Sequence, residues 1–325
     1  MNILKSQTKS TSGAKFKILL TLFAAASIAN SAPSSDSFLN INYLSGYANA
    51  QNFLQRLEEL RQGDNVSKDV WIRTHGGKLD SFEDEFDIKE ARYYGVQFGT
   101  DGITPVKQGT IYAGVALALG NTDVSYDKGD ASTTSYDVGF YMLYKNDDDF
   151  YAQGAIKYTR NENEFDATTT NSYRIKGVGN IDGISLSLEA GQRFDISNSF
   201  YIEPLFGLIY SYHADAIISS PNNLKIKLYN INSVLAKLSM AAGYKFKDSA
   251  VYIKAGYARE FEGDLIYKFN DGVDEYRHEI NSNIFDSSIG FISNINNHDL
   301  YIEGTYQMGD KFNNMKVNVG YRYGF

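Results

Sequence analysis

The chain ends in Met315-Lys316-Val317-Asn318-Val319-Gly320-Tyr321-Arg322-Tyr323-Gly324-Phe325 (MKVNVGYRYGF). Met315, Val317, Val319, Tyr321, Tyr323 and Phe325 alternate with Lys316, Asn318, Gly320, Arg322 and Gly324. Side chains alternate across a strand, so this period puts one apolar and one polar face on a single β-strand. The strand runs to the last residue with no turn or charge after it. Such an ending suits a closed transmembrane β-barrel, whose last strand must pair with its first.

The same period governs the chain from residue 69 onward. About twelve strands are predicted, at 69-80, 89-101, 108-123, 132-145, 149-162, 181-194, 199-213, 228-246, 249-262, 283-293, 298-309 and 315-325. In the third, Ile111, Ala113, Val115, Leu117 and Leu119 oppose Tyr112, Gly114, Ala116 and Ala118. In the eleventh, Leu300, Ile302, Tyr306 and Met308 oppose Tyr301, Glu303, Thr305 and Gln307. Even-numbered strands are followed by short turns such as Lys247-Asp248. Odd-numbered strands are mostly followed by longer polar loops, the longest near 163-180, 214-227 and 263-282. Short inner turns and long outer loops are the habit of outer-membrane barrels.

Composition agrees. The 325 residues contain 25 Tyr and 20 Phe but one Trp, enough for aromatic girdles at two membrane interfaces. Mean hydropathy is -0.35, as expected when lumen-facing residues dilute every strand. Cysteine is absent, which excludes disulfides, thiolate metal sites and a Cys nucleophile. The formal charge of -8 argues against a nucleic-acid partner.

The N-terminus reads as a secretory signal over 1-31, addressed to the Sec translocon. Lys5, Lys9, Lys15 and Lys17 precede an apolar core, Ile18 to Ile28, and small residues follow at Ala29-Asn30-Ser31. Its removal leaves 27 bases against 39 acids, a mature charge of -12. A short polar linker, 32-46, comes next. Residues 47-64 then carry Ala50, Phe53, Leu54, Leu57 and Leu60 at helical spacing, with Gly63 as a stop.

The faces assign roles. The outward face must be apolar, because lipid cannot satisfy polar groups. The inward face carries Lys145, Lys157, Glu189, Arg193, Glu203, Lys237, Lys254, Glu303, Lys316 and Arg322, which line the lumen and can equally pair to hold the wall. Small inward residues, such as Gly114, Ala116 and Gly320, keep the bore open or let strands bend. A helix is about 10 Å across. Eight strands fill their own lumen and sixteen leave a channel, so twelve suit one helix. The 47-64 helix, with Gln55, Arg56, Glu58, Glu59 and Arg61, is expected inside the pore, where Arg56 and Arg61 can pair with Glu189, Glu203 or Glu303.

The terminal Val319, Tyr321, Tyr323 and Phe325 resemble the C-terminal signal of bacterial outer-membrane proteins, read by the barrel-assembly machinery. The whole pattern resembles the translocator domain of classical autotransporters (type V secretion) over residues 47-325. The likeness rests on Gln55 to Arg61 (QRLEELR), Val70-Trp71-Ile72-Arg73 with Gly76-Gly77, Tyr94 to Gly102, Tyr112-Ala113-Gly114-Val115 and the closing Val319 to Phe325. It implies a twelve-stranded antiparallel up-and-down barrel with a pore-spanning helix, through which a linked passenger reaches the cell surface. It also implies periplasmic chaperones during biogenesis and outer-membrane lipid around the wall. Only 32-46 lie between signal and helix, so almost no passenger is expected. No Asn-Asn pair occurs in 47-62, and the family's cleavage within the barrel is not carried over.

No enzyme is expected, and no metal or cofactor. The four histidines are His75, His213, His278 and His298. His213 beside Asp215 and His278 beside Glu279 are conceivable acid-histidine pairs, but they read as solvated loop histidines. The acidic run Glu83, Asp84, Glu85 and Asp87 reads as a solvated face. The alternative function is a passenger-less porin, or an adhesin acting through its outer loops.

Overall fold

The computed structural model describes residues 54–61, 68–81, 88–126, 129–168, 174–219, 225–270, 275–279 and 281–325. The signal, the linker and the 83–87 acidic run lie outside the described residues, as do the other residues of the expected 47–64 helix. Seventeen strand segments follow the helix. They are β1 (Lys68–Ser81), β2 (Ile88–Val106), β3 (Gly109–Tyr126), β4 (Gly129–Asn146), β5 (Phe150–Thr168) and β6 (Arg174–Gln192). Next come β7 (Phe194–Asp195), β8 (Phe200–His213), β9 (Ala216–Ser219), β10 (Lys225–Leu228), β11 (Ile231–Phe246) and β12 (Ser249–Glu262). The last are β13 (Asp264–Phe269), β14 (Tyr276–Glu279), β15 (Asn283–Ile295), β16 (His298–Gly309) and β17 (Phe312–Gly324).

Twelve of these segments form the wall: β1 to β6, β8, β11, β12 and β15 to β17. Each pairs antiparallel with its neighbours, and β7 prolongs β6 against β8. β1 closes the ring. Ile72 stands opposite Phe98 on one side and Tyr321 on the other. A closed ring leaves no strand edge, which is the condition for spanning lipid with a sheet.

The alternation of the sequence becomes two surfaces. Val115, Leu117, Val138, Phe140, Leu186, Ile302 and Val319 are exposed on the outside, where lipid covers them. Their partners in the period, Tyr112, Ala116, Asp137, Tyr141, Ser187, Glu303 and Asn318, are buried inside.

Short turns close one end, at 107–108, 147–149, 196–199, 247–248 and 296–297. Asp149, Lys247 and Asn296 take positive φ there (61°, 52° and 54°), the left-handed conformation that tight hairpin loops demand. The other end departs from expectation. The 163-180 segment is mostly strand, because β5 and β6 remain paired up to Thr168 and Arg174. β3 and β4 stay in register to Tyr126 and Gly129, with only two residues between them. Residues 214-227 and 263-282 hold the hairpins β9–β10 and β13–β14 rather than open loops.

Candidate functional site

The lumen is built in three layers, and the helix fills the layer near the short turns. Leu57 and Leu60 are fully or almost fully buried, and the charged residues of the same helix reach the wall in several directions. Arg56 donates through Nε to Asp101 at 2.8 Å and through Nη2 to Asp69 at 2.9 Å. Its guanidinium also lies 5.4 Å from the Trp71 ring. Glu59 takes Arg73 at 2.6 Å, and Glu58 takes Lys254 at 2.5 Å. Gln55 donates to Glu303 at 3.0 Å. Arg61 meets Glu203 at 3.2 Å, donates to Gln153 at 2.7 Å and stacks 4.3 Å from the Tyr151 ring. Charges removed from water are tolerated only when paired and hydrogen-bonded, and each of these is.

The wall pairs its own charges as well. Arg193 joins Glu203 at 2.8 Å, Lys237 joins Asp286 at 3.0 Å, and Lys157 joins Asp137 at 3.6 Å. Lys254 also reaches Glu303 at 3.5 Å. Arg322 holds Asp69 at 3.3 Å and lies close against Asp299. Glu189 accepts from Gln153 at 2.6 Å. Lys145 joins Asp149 at 2.9 Å and donates to the carbonyl of Arg61 at 3.3 Å. Lys316 is buried on the inward face of β17.

Of the glutamates considered for the two helix arginines, Glu203 receives Arg61. Arg56 instead goes to Asp69 and Asp101, and Glu303 is engaged by Gln55 and Lys254. The small inward residues make room rather than leave a void. A Cβ at Gly320 would stand 2.5 Å from Glu59 Oε1, and one at Gly114 would stand 2.4 Å from the Tyr141 ring. Residues that sequence reasoning passed over include Asp69, Trp71, Arg73, Asp101, Tyr141, Tyr151 and Gln153. Inward parity along Val70-Trp71-Ile72-Arg73 was the available signal for Trp71 and Arg73.

The middle layer is made of amides and hydroxyls. Thr133 donates to Asn163 and Ser135 to Asn161, each at 2.7 Å. Tyr93 donates to Asn314 at 2.7 Å, and Asn314 donates to Gln307 at 2.8 Å.

The outer layer is apolar. β10 pairs with β13 through Ile226 opposite Phe269, Lys227 opposite Lys268 and Leu228 opposite Tyr267. The two loop hairpins thus prolong the wall at its outer end, in the register of the strands that carry them, and meet β6 at Val178 opposite Ser219. Their inner face, Ile218, Ile226, Leu228, Leu265 and Tyr267, is 0–2% exposed. That face packs in one cluster with Leu79, Val124, Ala131, Ile181, Ile284 and Phe312 from strands around the rim. The lumen therefore holds a helix near one end and apolar side chains gathered at the other.

The histidines differ from expectation. His213 is buried, facing Gly183 across β6, rather than solvated. Asp215 accepts instead from the backbone N–H of Asn230 at 2.7 Å. The side chain of His278 lies outside the described residues. Among the described residues, no three His, Cys, Asp or Glu side chains stand together as a metal site.

Comparison with known proteins places this geometry. The sequence model of the family described as "Autotransporter beta-domain" matches residues 70–307. The chain belongs to the autotransporter β-domain family. A probable autotransporter of Escherichia coli strain K12, YcgV, is 33% identical over 306 residues, which are 90% of this chain and 31% of that protein. The pertactin autotransporter of Bordetella parapertussis is 27% identical over 288 residues, 85% of this chain and 31% of that one. The chain thus spans about a third of these relatives. The β-domain of the Bordetella autotransporter BrkA superposes with a TM-score of 0.67 at 21% identity, covering 80% of this chain and 100% of that one. The translocator domain of NalP from Neisseria meningitidis gives 0.68 at 14% identity, covering 87% and 98%. As an autotransporter β-domain, the chain is an integral outer-membrane barrel. Outer-membrane barrels keep their short turns in the periplasm and their longer connections outside, which sets the hairpin end outward.

Proposed function

We propose that this barrel passes a linked N-terminal segment to the cell surface, and that helix 54–61 is the part of that segment left in the pore. The clamp of Arg56 on Asp69 and Asp101 carries the reading. It seats the helix inside a tube whose bore suits one helix. The lumen charges then act as counter-charges for the helix and as the wall of the path. The porin alternative needs an open lumen, whereas a helix and a cluster of apolar side chains occupy it. The reading includes export through the Sec translocon by the 1-31 signal. It also includes escort by periplasmic chaperones and insertion by the barrel-assembly machinery, guided by Val319, Tyr321, Tyr323 and Phe325. The barrel acts passively, without catalysis.

Single-channel recording in a planar bilayer tests this, comparing the chain with a form lacking residues 32–64. The full form should stay nearly closed, and the deletion should open a stable pore. Identical traces would overturn the reading in favour of a loop-acting surface protein.

A further inference from the structure

One feature of the lipid-facing wall is not explained by a barrel that merely needs to be greasy. Across β11, β12, β15 and β16, consecutive register partners read Met240, Ala255, Ser287 and Tyr306. Two small residues stand between two large ones. Strands are about 4.8 Å apart, so the large pair flanks a furrow about three strand spacings across. Gly304, on the next row of β16, has no atom closer than 4.0 Å to where its Cβ would be. The result is a groove of roughly 710 Å³ on the outer surface of the wall, lined almost wholly by apolar atoms.

What lies above the groove points to its occupant. Two residues along the strands from Ala255 and Ser287 toward the hairpin end, Tyr257 faces Phe285, their ring centroids 5.1 Å apart. The Tyr257 hydroxyl donates to Asn283 at 2.7 Å. Two residues further, Arg259 stands opposite Asn283. Arg259 is exposed, and its guanidinium lies 5.5 Å from the Phe261 ring. It meets no carboxylate among the described residues. Groove, aromatic pair and arginine therefore follow one another along one line of the wall. The distance from Ala255 to Arg259 is about 13 Å at the usual rise per residue. Aromatic rings sit at the membrane interface, and an arginine just beyond them lies at the level of lipid phosphates. A guanidinium is matched to phosphate in geometry as well as charge.

We propose that this face is a binding site for a phosphorylated, multiply acylated lipid of the outer leaflet. Its acyl chains lie in the Ala255–Ser287 furrow and its phosphate lies on Arg259. The inference uses the orientation of the barrel in the membrane and does not depend on whether the lumen carries a passenger.

Native mass spectrometry of the folded barrel tests it, with hexa-acylated diphosphoryl lipid A as probe and the same lipid without phosphates as control. The intact protein should retain one lipid A through detergent exchange and hold the dephosphorylated form at least about tenfold less. Arg259→Gln should erase that preference. Ser287→Leu should weaken both forms by filling the furrow. Both changes lie on the outer surface, and the heat-dependent gel mobility of the folded barrel reports folding separately. Equal retention of the two lipids by the intact protein overturns the proposal. So does retention by both variants like that of the intact protein, or a dimer that Ser287→Leu dissolves, which would make a second copy the occupant.

Discussion

Arg56 grips Asp101 with two prongs, Nε to Oδ2 at 2.8 Å and Nη2 to Oδ1 at 2.9 Å. Both side chains are 1% exposed. The same guanidinium reaches Asp69, and Asp69 is also held by Arg322 of β17. Asp69 stands on β1, Asp101 on β2 and Arg322 on β17, so the clamp ties the helix to both sides of the strand that closes the barrel. Plug and closure seam share one network of charges.

Removing Arg56 should release the plug without melting the wall. Arg56→Ala leaves Asp101 with the Tyr141 hydroxyl and deprives Asp69 of one of its two arginines. Breaking a buried pair by deleting one partner costs about 3–5 kcal/mol. That cost falls on the helix-wall contact, because the inter-strand ladder is untouched. Bilayer recordings should show frequent openings in Arg56→Ala and fewer in Arg56→Lys. A trace as quiet as that of the parent would show that the other helix contacts suffice.

Trp71 offers an optical readout of the same event. It is the single tryptophan of the chain, it is buried, and its Nε1 donates to the Tyr141 hydroxyl at 2.8 Å. The helix covers it through Arg56. A form lacking residues 32–64 should show red-shifted emission and several-fold stronger quenching by acrylamide. Unchanged emission would mean that the wall alone shields the indole.

Legibility in the sequence followed from how much chain each physical constraint spans. Lipid on one side and a polar lumen on the other impose a period of two over every long strand, so the barrel and its closing strand were readable. The helix showed through Leu54, Leu57 and Leu60. Partners across the lumen were not readable. Parity tells which side a residue faces, but the register that sets Asp69 opposite Asp101 leaves no mark on either stretch. The outer hairpins were missed for another reason. β9 and β10 have four residues each, too few to show a period, and the Asn and Ser residues between them read as a loop. His213 read as solvated because its partner in space is Gly183, thirty residues upstream, whose missing side chain leaves the imidazole its place. A Cβ there would stand 2.8 Å from Nδ1.

The seam between the two outer hairpins should set how the unplugged barrel conducts. β10 and β13 are joined by three register pairs, a seam short enough to part. Lys227 and Lys268 are direct partners in that seam, and antiparallel partners have the Cα spacing that a disulfide needs. The chain has no cysteine of its own, so Lys227→Cys with Lys268→Cys adds one defined bridge. In the form lacking residues 32–64, oxidation should abolish the openings and a reductant should restore them. Openings that persist through oxidation would show that the ion path does not run through this seam.

Phe325 separates the folded barrel from its assembly. It is 61% exposed, and its ring lies 6.4 Å from that of Tyr323. The register of β17 on β1 begins one residue earlier, at Gly324 opposite Asp69. Phe325 therefore adds little to the finished wall, and an exposed substitution away from buried contacts shifts stability by about 0.5 kcal/mol or less. If the terminal strand is read during insertion, Phe325→Ala should leave the unfolding temperature of the purified, refolded barrel where it was. In cells it should cut the amount reaching the outer membrane several-fold. Tyr321, by contrast, accepts or donates a 2.6 Å hydrogen bond with His298 Nδ1 on β16, so Tyr321→Ala should lower both quantities. A Phe325→Ala barrel that inserts as well as the parent would show that the terminal residue is not part of what the assembly machinery reads.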